Sequence, residues 1–312
     1  MGVTQTLING CGPNAWEDIV TRCGLLKMES LGATNELNIL HITDVHNSTE
    51  MVAAVSQWVI KHKEKIDIIL LSGDIADMPM EYGNDTTKEA LLFKGSYYQD
   101  LQQVVSNARA ICDRVYYVPG NHDPPQSFNE ASPEITIDPI PSCNVHLHTI
   151  PVAPGLFLSG LGGSVPGYQD GKQCWDGFPY NNEDDINKDL TQLLEPFLGK
   201  DTPLRSPEDQ LILMTHCGPS NSSTSRFCDD PNAVIEAGSM SLYNWLVKPE
   251  LQRRVLLNVH GHIHHGYGEA HVGMISVLNP GPLLDGHFSL YTLTRKGDPL
   301  QWSLSAVRRY VL

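Results

Sequence analysis

The sequence predicts an α/β protein built on a parallel or mixed β-sheet. Its first half alternates strand-like and helix-like segments in the order β-α-β-α-β, which is typical of right-handed crossovers between neighbouring strands. Polar residues suited to metal binding follow several of the strand-like segments. Because ligands in such sheets gather at the carboxyl ends of the strands, the pattern also predicts where a functional site lies.

Three strands and two helices are predicted in the first half. Residues 37–43 form a mixed apolar strand, and apolar positions at helical spacing predict a helix from about 50 to 62. The run 66–71 is nearly continuous β-branched and leucine residues, as in a strand buried on both faces. A long helix is predicted from about 86 to 113, and residues 115–118 form the third strand.

The second half contains four more strand-like segments and one predicted helix, which follows an acidic run at 181–189 and ends near Leu198. The strand-like segments cover 211–215, 255–259, 274–278 and 288–293.

We expect one elaborated domain at 37–312, preceded by an N-terminal extension at 1–36 that packs on or near it. Residues at about 124–182 are rich in Pro, Gly, Ser and other polar residues, and we interpret them as a loop insertion. A second loop insertion is predicted at about 217–232.

Composition excludes several classes of function. The chain has 312 residues, of which 41% are apolar, so it can bury a substantial core. Its 36 acidic and 21 basic residues give a formal charge of −15, which argues against nonspecific binding of nucleic acid or anionic lipid. An anionic substrate would have to be attracted locally, by metal ions.

The sequence predicts a cytoplasmic protein with reduced thiols. It has no apolar run of transmembrane length and no secretory signal at its N-terminus. The seven cysteines are widely spaced and include no CxxC pair. Residues 1–6 fit the N-myristoylation pattern, and a myristoyl group on Gly2 would add only weak membrane anchoring. The oligomeric state is not predicted.

Five short motifs, each at the end of a strand-like run, carry side chains that bind divalent ions. Carboxylate, imidazole and amide oxygen suit hard to borderline ions, and a carboxylate between two ions can bridge them. The motifs are Asp44-Val45-His46, Gly73-Asp74, Gly120-Asn121-His122-Asp123, His216 and Gly261-His262-Ile263-His264.

The spacing of these residues predicts convergence. In an extended segment residues two apart point the same way, so Asp44 and His46 can converge on one ion, and His262 and His264 can likewise point toward a common centre. Glycines precede the ligands where the chain must turn sharply near other backbones. The remaining histidines, outside this ordered pattern, are interpreted as structural or solvated: His41, His62, His146, His148, His260, His265, His271 and His287.

The ordered series D-x-H, GD, GNH(D), H and GHxH resembles the signature of the calcineurin-like metallophosphoesterases, and it spans residues 44 to 264. The resemblance implies a four-layer α/β/β/α sandwich of two mixed β-sheets with a di-metal centre at the strand ends. It implies two divalent ions, which could be Mn, Zn, Fe, Co or Ni. It places Asp44, His46, Asp74 and His264 around one ion and Asp74, Asn121, His216 and His262 around the other, with Asp74 bridging.

The same resemblance implies the chemistry. A hydroxide that bridges the ions would attack the phosphorus, and His122 matches the general acid that protonates the leaving oxygen. Asp77 matches the carboxylate that orients this histidine in the protein-phosphatase branch. Asp123 competes for that role, although we favour a turn residue before Pro124-Pro125.

The motifs of this sequence differ from those of two branches of the family, which narrows the branch that it resembles. The Ser/Thr protein phosphatases would read GDxVDRG, whereas this chain reads Gly73-Asp74-Ile75-Ala76-Asp77-Met78-Pro79 and lacks the arginine. Purple acid phosphatases have a tyrosine where Asp77 stands. The GNHD and GHxH blocks are more similar to the phosphodiesterase and small-molecule phosphatase branches.

Substrate contacts are predicted in two loops. Tyr168, Trp175 and Tyr180 lie in a glycine- and proline-rich segment, where an aromatic ring could stack on a nucleobase. Arg226 follows a run of serines after His216 and could hold a second phosphate. Rings in such loops also commonly just cover the core.

The sequence therefore predicts a di-metal phosphoesterase acting on a phosphomonoester or phosphodiester of a small molecule or nucleotide. The alternatives are a phosphoprotein phosphatase and a non-catalytic binding scaffold with the same fold. A nuclease is disfavoured because basic clusters for a long polyanion are missing.

Overall fold

The computed structural model describes residues 35–78, 88–128, 143–198, 208–227 and 234–312. Gly2 and nearly all of the expected N-terminal extension lie outside these ranges, as do parts of both predicted insertions.

Strands and helices alternate along the described residues. The helices are α1 (Thr49–His62), α2 (Lys88–Arg109), α3 (Glu183–Leu194), α4 (Met240–Leu246) and α5 (Pro249–Arg254). The strands of the first half are β1 (Glu36–Ile42), β2 (Ile68–Leu71), β3 (Val115–Tyr117), β4 (Cys143–Asn144), β5 (Thr149–Ala153), β6 (Leu156–Leu161), β7 (Gly167–Gln169) and β8 (Lys172–Trp175). Those of the second half are β9 (Gln210–Thr215), β10 (Arg226–Phe227), β11 (Ile235–Glu236), β12 (Val255–Val259), β13 (Gly268–Val272), β14 (Ile275–Asn279), β15 (His287–Lys296) and β16 (Gln301–Val311).

Two six-stranded mixed sheets form the centre of the fold. The first has the order β16-β15-β1-β2-β3-β4. Strands β1 to β4 are parallel to one another, β15 is antiparallel to β1, and β16 is antiparallel to β15. The second has the order β13-β14-β12-β9-β6-β5, in which the four central strands are parallel. Each sheet therefore aligns the carboxyl ends of several strands at one edge.

The two sheets pack face to face through alternating side chains. Leu37 and Ile39 of β1 contact a buried cluster that includes Leu158 of β6 and Ile212 of β9. The intervening residues of the same strands point outward, as period-two geometry requires. The apolar core between the sheets follows directly from this alternation.

Helices cover the two outer faces. Leu40 and Ile42 of β1 pack with residues of α1 and α2, including Val55 and Val104. On the other side, Leu211 and its neighbours pack against α3, α4 and α5. The order of layers is helix, sheet, sheet, helix, which confirms the α/β/β/α sandwich implied by the sequence motifs.

The described residues contain more strands than the sequence predicts, both in the middle of the chain and at its C-terminal end. The range 124–182 contains β5 and β6, which belong to the second central sheet, so part of the predicted insertion is core. Strand β16 is not among the predicted strands, although Trp302, Leu304 and Ala306 alternate with exposed polar residues over its first half. Its second half, where Arg308 and Arg309 are adjacent, loses this period-two pattern.

A third sheet of four short strands lies apart from the two central ones. Its order is β10-β11-β7-β8, and it joins the segment around Tyr168 to the segment around Arg226. Two loops that the sequence presents separately therefore form one structural unit.

No helix in the described part of the chain is both long enough and apolar enough to cross a membrane.

The packing between the sheets gives a stability prediction. Leu158 of β6 is fully buried in the cluster between the two sheets. Replacing it by alanine removes that contact and leaves a cavity, so Leu158→Ala should lower the free energy of unfolding by about 2–5 kcal/mol. Urea denaturation followed by circular dichroism measures the change.

The matched control is Ile60→Ala on α1, because Ile60 is 67% exposed. This substitution should change the free energy of unfolding by roughly 0.5 kcal/mol or less. Equal effects of the two substitutions would contradict the assignment of β6 to the core.

Candidate metal centre

The five motifs meet where the carboxyl ends of the two central sheets face each other. Asp44, Asp74 and Asn121 lie in the loops that follow β1, β2 and β3 of the first sheet. His216 follows β9 of the second sheet, and His262 lies in the loop after β12. The site is thus shared by both sheets, and each sheet contributes ligands at its own strand ends.

The loop backbone, rather than an extended strand, turns these side chains toward one another. Asp44, His46, Asp74 and His262 all have positive φ values, of 50°, 47°, 48° and 69°. Left-handed backbone is unfavourable for residues with a side chain and is concentrated at functional sites. The expectation of an extended backbone between Asp44 and His46 is therefore wrong, although the two side chains do lie in the same cluster.

Two glycines allow the loops to approach closely. A Cβ on Gly73 would collide with the imidazole of His216, and a Cβ on Gly120 would collide with the backbone and carboxylate of Asp74. Gly73 also has a φ of 97°, a conformation that side chains disfavour. Glycine is thus required at both positions for the ligand loops to meet.

The first cluster contains Asp44, His46 and His264, whose ligand atoms lie within 4.8 Å of one another. Nε2 of His46 is 3.4 Å from Nε2 of His264, and Nε2 of His264 is 3.5 Å from Oδ1 of Asp44. Two nitrogens that share an ion at about 2.1 Å each lie roughly 3.0–3.4 Å apart. The spacing fits ligands of a single ion.

The second cluster contains Asp74, His216 and His262, again within 4.8 Å. Nε2 of His216 lies 3.3 Å from Oδ2 of Asp74 and 2.9 Å from Oδ1 of Asn121, so the amide oxygen joins the same group. Nδ1 of His216 donates to the backbone oxygen of Ser72 at 2.8 Å. This bond fixes the ring so that Nε2 points into the cluster.

His262 provides an independent test of whether the cluster fits a metal ion. Its Nε2 is buried and has no hydrogen-bond partner within the part of the chain that the structure describes. Burial and the nearby charge of His216 lower the pKa of His262 to about 3, so the ring is neutral. A buried neutral imidazole with a free lone pair beside carboxylates is the donor that a divalent ion requires.

In the second cluster, Asp74 and His216 each stabilise the charged form of the other. Burial alone would raise the pKa of Asp74, but the charges of His216 and His122 hold it well below its usual range. Burial lowers the pKa of His216, and the charge and hydrogen bond of Asp74 outweigh this effect and raise it to about 9. The carboxylate is therefore ionised and available to a cation.

A third group joins Asp77 to two histidines. Oδ1 of Asp77 lies 3.1 Å from Nδ1 of His122 and 3.2 Å from Nδ1 of His46. Hydrogen bonds from both rings lower the pKa of this carboxylate. Burial lowers the pKa of His122, but Asp74 and Asp77 raise it above its ordinary value overall. The contact with Asp77 engages Nδ1 of His122, so Nε2 is the ring nitrogen that Asp77 does not hold.

Asp123 ends a turn before Pro124-Pro125, as the sequence predicts, because its backbone N–H donates to the backbone oxygen of Gly120 at 3.2 Å. Its buried carboxylate accepts backbone N–H bonds from Gly120 at 2.7 Å, Ala76 at 2.6 Å and Ile75 at 3.2 Å. Burial and the charge of Asp74 raise its pKa to about 7. Asp123 ties the loop after β2 to the loop after β3, a role that the sequence did not predict.

A cavity of about 620 Å³ opens over these groups. Of the four predicted substrate contacts, only Trp175 is among its lining residues. The lining residues are His46, Asp74, Asn121, His122, Trp175, Asp176, Phe227, His262, Ile263, His264, His265 and Asp285.

The other three predicted contacts lie elsewhere. Tyr180 is 3% exposed within the outer core, and its hydroxyl donates to Asp189 at 2.8 Å. Arg226 forms an ion pair of 2.7 Å with Glu236 across the small sheet. Tyr168 is 41% exposed on β7. The structure does not bring these three side chains to the cavity.

Phe227, Asp176 and Asp285 line the cavity but were not singled out in the sequence. Phe227 and Asp176 come from the small sheet and its flank, and Asp285 comes from a turn after β14. Their positions depend on pairing between distant segments. No local periodicity marks which side chains of such short strands face a site.

The calcineurin-like phosphoesterase family model matches residues 37–266. The chain therefore belongs to the calcineurin-like phosphoesterase family. A search of curated proteins finds no significant match.

Similarity to solved structures is accompanied by low sequence identity. One crystal structure is 16% identical with a TM-score of 0.62, and the match covers 86% of this chain and 98% of that one. A dimetal phosphatase from Danio rerio is 13% identical with a TM-score of 0.49, over 88% and 98% of the two chains. The protein TT1561 of Thermus thermophilus is 18% identical with a TM-score of 0.49, over 81% and 93%.

The position of Asp74 between His216 and the loop of His122 gives a prediction about metal content. Asp74→Asn keeps the shape of the side chain but removes its charge, so it should reduce the occupancy of both ions. Metal analysis after dialysis of reconstituted protein measures the stoichiometry.

The control is Asp170→Asn, because Asp170 lies at an exposed turn and is not among the cavity-lining residues. Its metal content should equal that of the unsubstituted protein. Loss of only one ion from the Asp74 variant would exclude a bridging role for this carboxylate.

Proposed function

We propose that the chain is a di-metal phosphoesterase that hydrolyses a phosphomonoester or phosphodiester of a small molecule or nucleotide. The observation that carries this proposal is the placement of two ligand clusters and the Asp77-oriented His122 around one cavity. Family membership supports the reaction class.

The ligands divide between two ions. Asp44, His46 and His264 would hold one ion, and Asn121, His216 and His262 would hold the other. Asp74 would lie between them as the shared carboxylate. When bound, such ions supply Lewis-acid charge against the phosphoryl oxygens and lower the pKa of a water molecule so that it can attack phosphorus.

Within the protein, His122 performs the proton transfer. Its Nδ1 is bonded to Asp77, so Nε2 carries the proton toward the leaving oxygen. Asp74 and Asp77 raise the pKa of His122, which favours the protonated ring that a general acid requires. Asp77 positions the ring and stabilises its charged form.

The cavity favours small substrates over long polymers. Its volume of about 620 Å³ is in the ordinary range for small-molecule sites. Within the ranges that the structure describes, its lining residues include no lysine or arginine that could contact a nucleic-acid backbone. A phosphoprotein substrate and a binding scaffold without activity are the competing proposals.

The reaction is tested with a matched pair of substrates, p-nitrophenyl phosphate and bis(p-nitrophenyl) phosphate. Metal-reconstituted protein should hydrolyse at least one of them, and the ratio of kcat/KM values gives the preferred bond type. Metal content is measured on the same sample.

Chelator treatment should abolish turnover, and re-addition of metal should restore it. If two bound ions gave no turnover of either ester, the scaffold proposal would be favoured. A protein that binds no metal would contradict the proposed function.

The role of His122 predicts a dependence on the leaving group. Since His122 donates a proton to the leaving oxygen, His122→Asn should lower kcat on a phenyl ester by about 100-fold or more. The effect on the nitrophenyl ester should be much smaller, because nitrophenolate leaves without protonation. Steady-state kinetics on both esters measures the difference.

Metal content must stay unchanged in this variant for the comparison to hold. Asp77→Asn should show the same leaving-group pattern with a smaller loss, since it leaves the imidazole in place. An equal decrease in kcat on both esters would contradict a general-acid role for His122.

A further inference from the structure

The outer wall of the cavity is aromatic. Trp175 of β8 and Phe227 of β10 approach with ring centroids 6.5 Å apart and an interplanar angle of 89°. Trp175 also lies 6.3 Å from the ring of His262, and Phe227 lies 5.0 Å from the ring of His265. The aromatic wall therefore borders the proposed metal ligands directly.

The same wall is acidic among the described residues. Asp176 and Asp285 line the cavity and are exposed to solvent, while none of the lining residues in the described part of the chain is a lysine or an arginine. Arg226, the neighbour of Phe227, is paired with Glu236. A second phosphate at this wall would find no lysine or arginine among the described lining residues and would be repelled by the two carboxylates.

We propose that Trp175, Phe227 and Asp176 form a subsite for a cationic alcohol, so that the substrate is the phosphoester of an amino alcohol. The proposal rests on the proposed function, because the phosphoester group must lie at the metal ligands for the alcohol to reach this wall. The substrate class is thus narrowed to esters that carry an ammonium group.

The geometry of the rings selects this ligand. Because the two rings are perpendicular, they cannot both lie parallel to one flat ligand, whereas a rounded ammonium group is attracted to an electron-rich ring face in any rotational orientation. A flat nucleobase would gain most from parallel rings on its two sides. Asp176 adds attraction for a cation and gives a neutral base no comparable gain.

The subsite is tested with two diesters of equal shape. One is p-nitrophenyl phosphorylcholine, and the other is p-nitrophenyl 3,3-dimethylbutyl phosphate, in which carbon replaces the ammonium nitrogen. Metal-reconstituted protein should show a kcat/KM at least about 10-fold higher for the cationic ester, the size expected for a cation between an aromatic ring and a carboxylate. A ratio near one would overturn the proposal.

Three variants locate the effect. Trp175→Leu and Asp176→Asn should each lower the ratio toward one, while Asp170→Asn should leave it unchanged. Asp170 lies at the turn of the same β7–β8 hairpin and is not among the lining residues, so this control removes an equal charge away from the cavity. A ratio that falls equally in the control would show a general charge effect and overturn the proposal.

A binding measurement separates this proposal from the proposed function. Tetramethylammonium chloride, titrated at constant ionic strength against sodium chloride into metal-reconstituted protein, should change the tryptophan fluorescence with saturation. Trp175→Leu should abolish the change, and Asp176→Asn should weaken binding several-fold.

Saturable binding without turnover of either diester would support the cation subsite and count against the phosphoesterase. Turnover of both diesters at equal rates without binding of tetramethylammonium would support the phosphoesterase and overturn the cation subsite.

Discussion

The structure of the site depends on two buried carboxylates placed between two sheets. Asp44 belongs to the first sheet, yet it accepts the backbone N–H of His262 from the second sheet at 3.1 Å. Asp74 accepts the N–H of His122 at 2.8 Å and faces His216 across the sheet junction. Since a buried carboxylate is costly unless its charge is met, these bonds and histidines hold the loops in one arrangement. The loop geometry, the required glycines and the orientation of the ligand rings all follow from that constraint.

The sequence predicts the part of the fold that rests on local periodicity. The run 66–71 and the segment 115–118 became central parallel strands, because continuous apolar residues mark strands covered on both faces. β16 lies at a sheet edge with mixed exposure, and β5 and β6 lie within a stretch rich in turn-forming residues. β16 pairs with β15 and β5 pairs with β6 across short turns, whereas β6 also pairs with the distant β9. The place of β6 in the second central sheet therefore depends on a long-range pairing that local sequence does not show.

For the site, the sequence identifies residue types but not how they converge. Asp44 and His46 come together through left-handed backbone, which strand periodicity does not predict. Asp123 reads as a turn residue before two prolines, and it also accepts three backbone N–H groups and ties two ligand loops together. Tyr180 and Trp175 have similar sequence surroundings, and only the tertiary pairing of the small sheet directs Trp175 to the cavity and Tyr180 to the core.

The distribution of charge connects metal binding to substrate binding. The chain has a formal charge of −15, and the described residues that line the cavity include no lysine or arginine. A phosphate anion approaching this cavity would meet the carboxylates of Asp74, Asp176 and Asp285 as well as the imidazoles of His46 and His122. In the proposed function, bound ions supply the remaining positive charge, so the affinity for an anionic substrate would rise with metal occupancy. Linkage makes this reciprocal: a substrate that binds only to the loaded site must also tighten the binding of the ions.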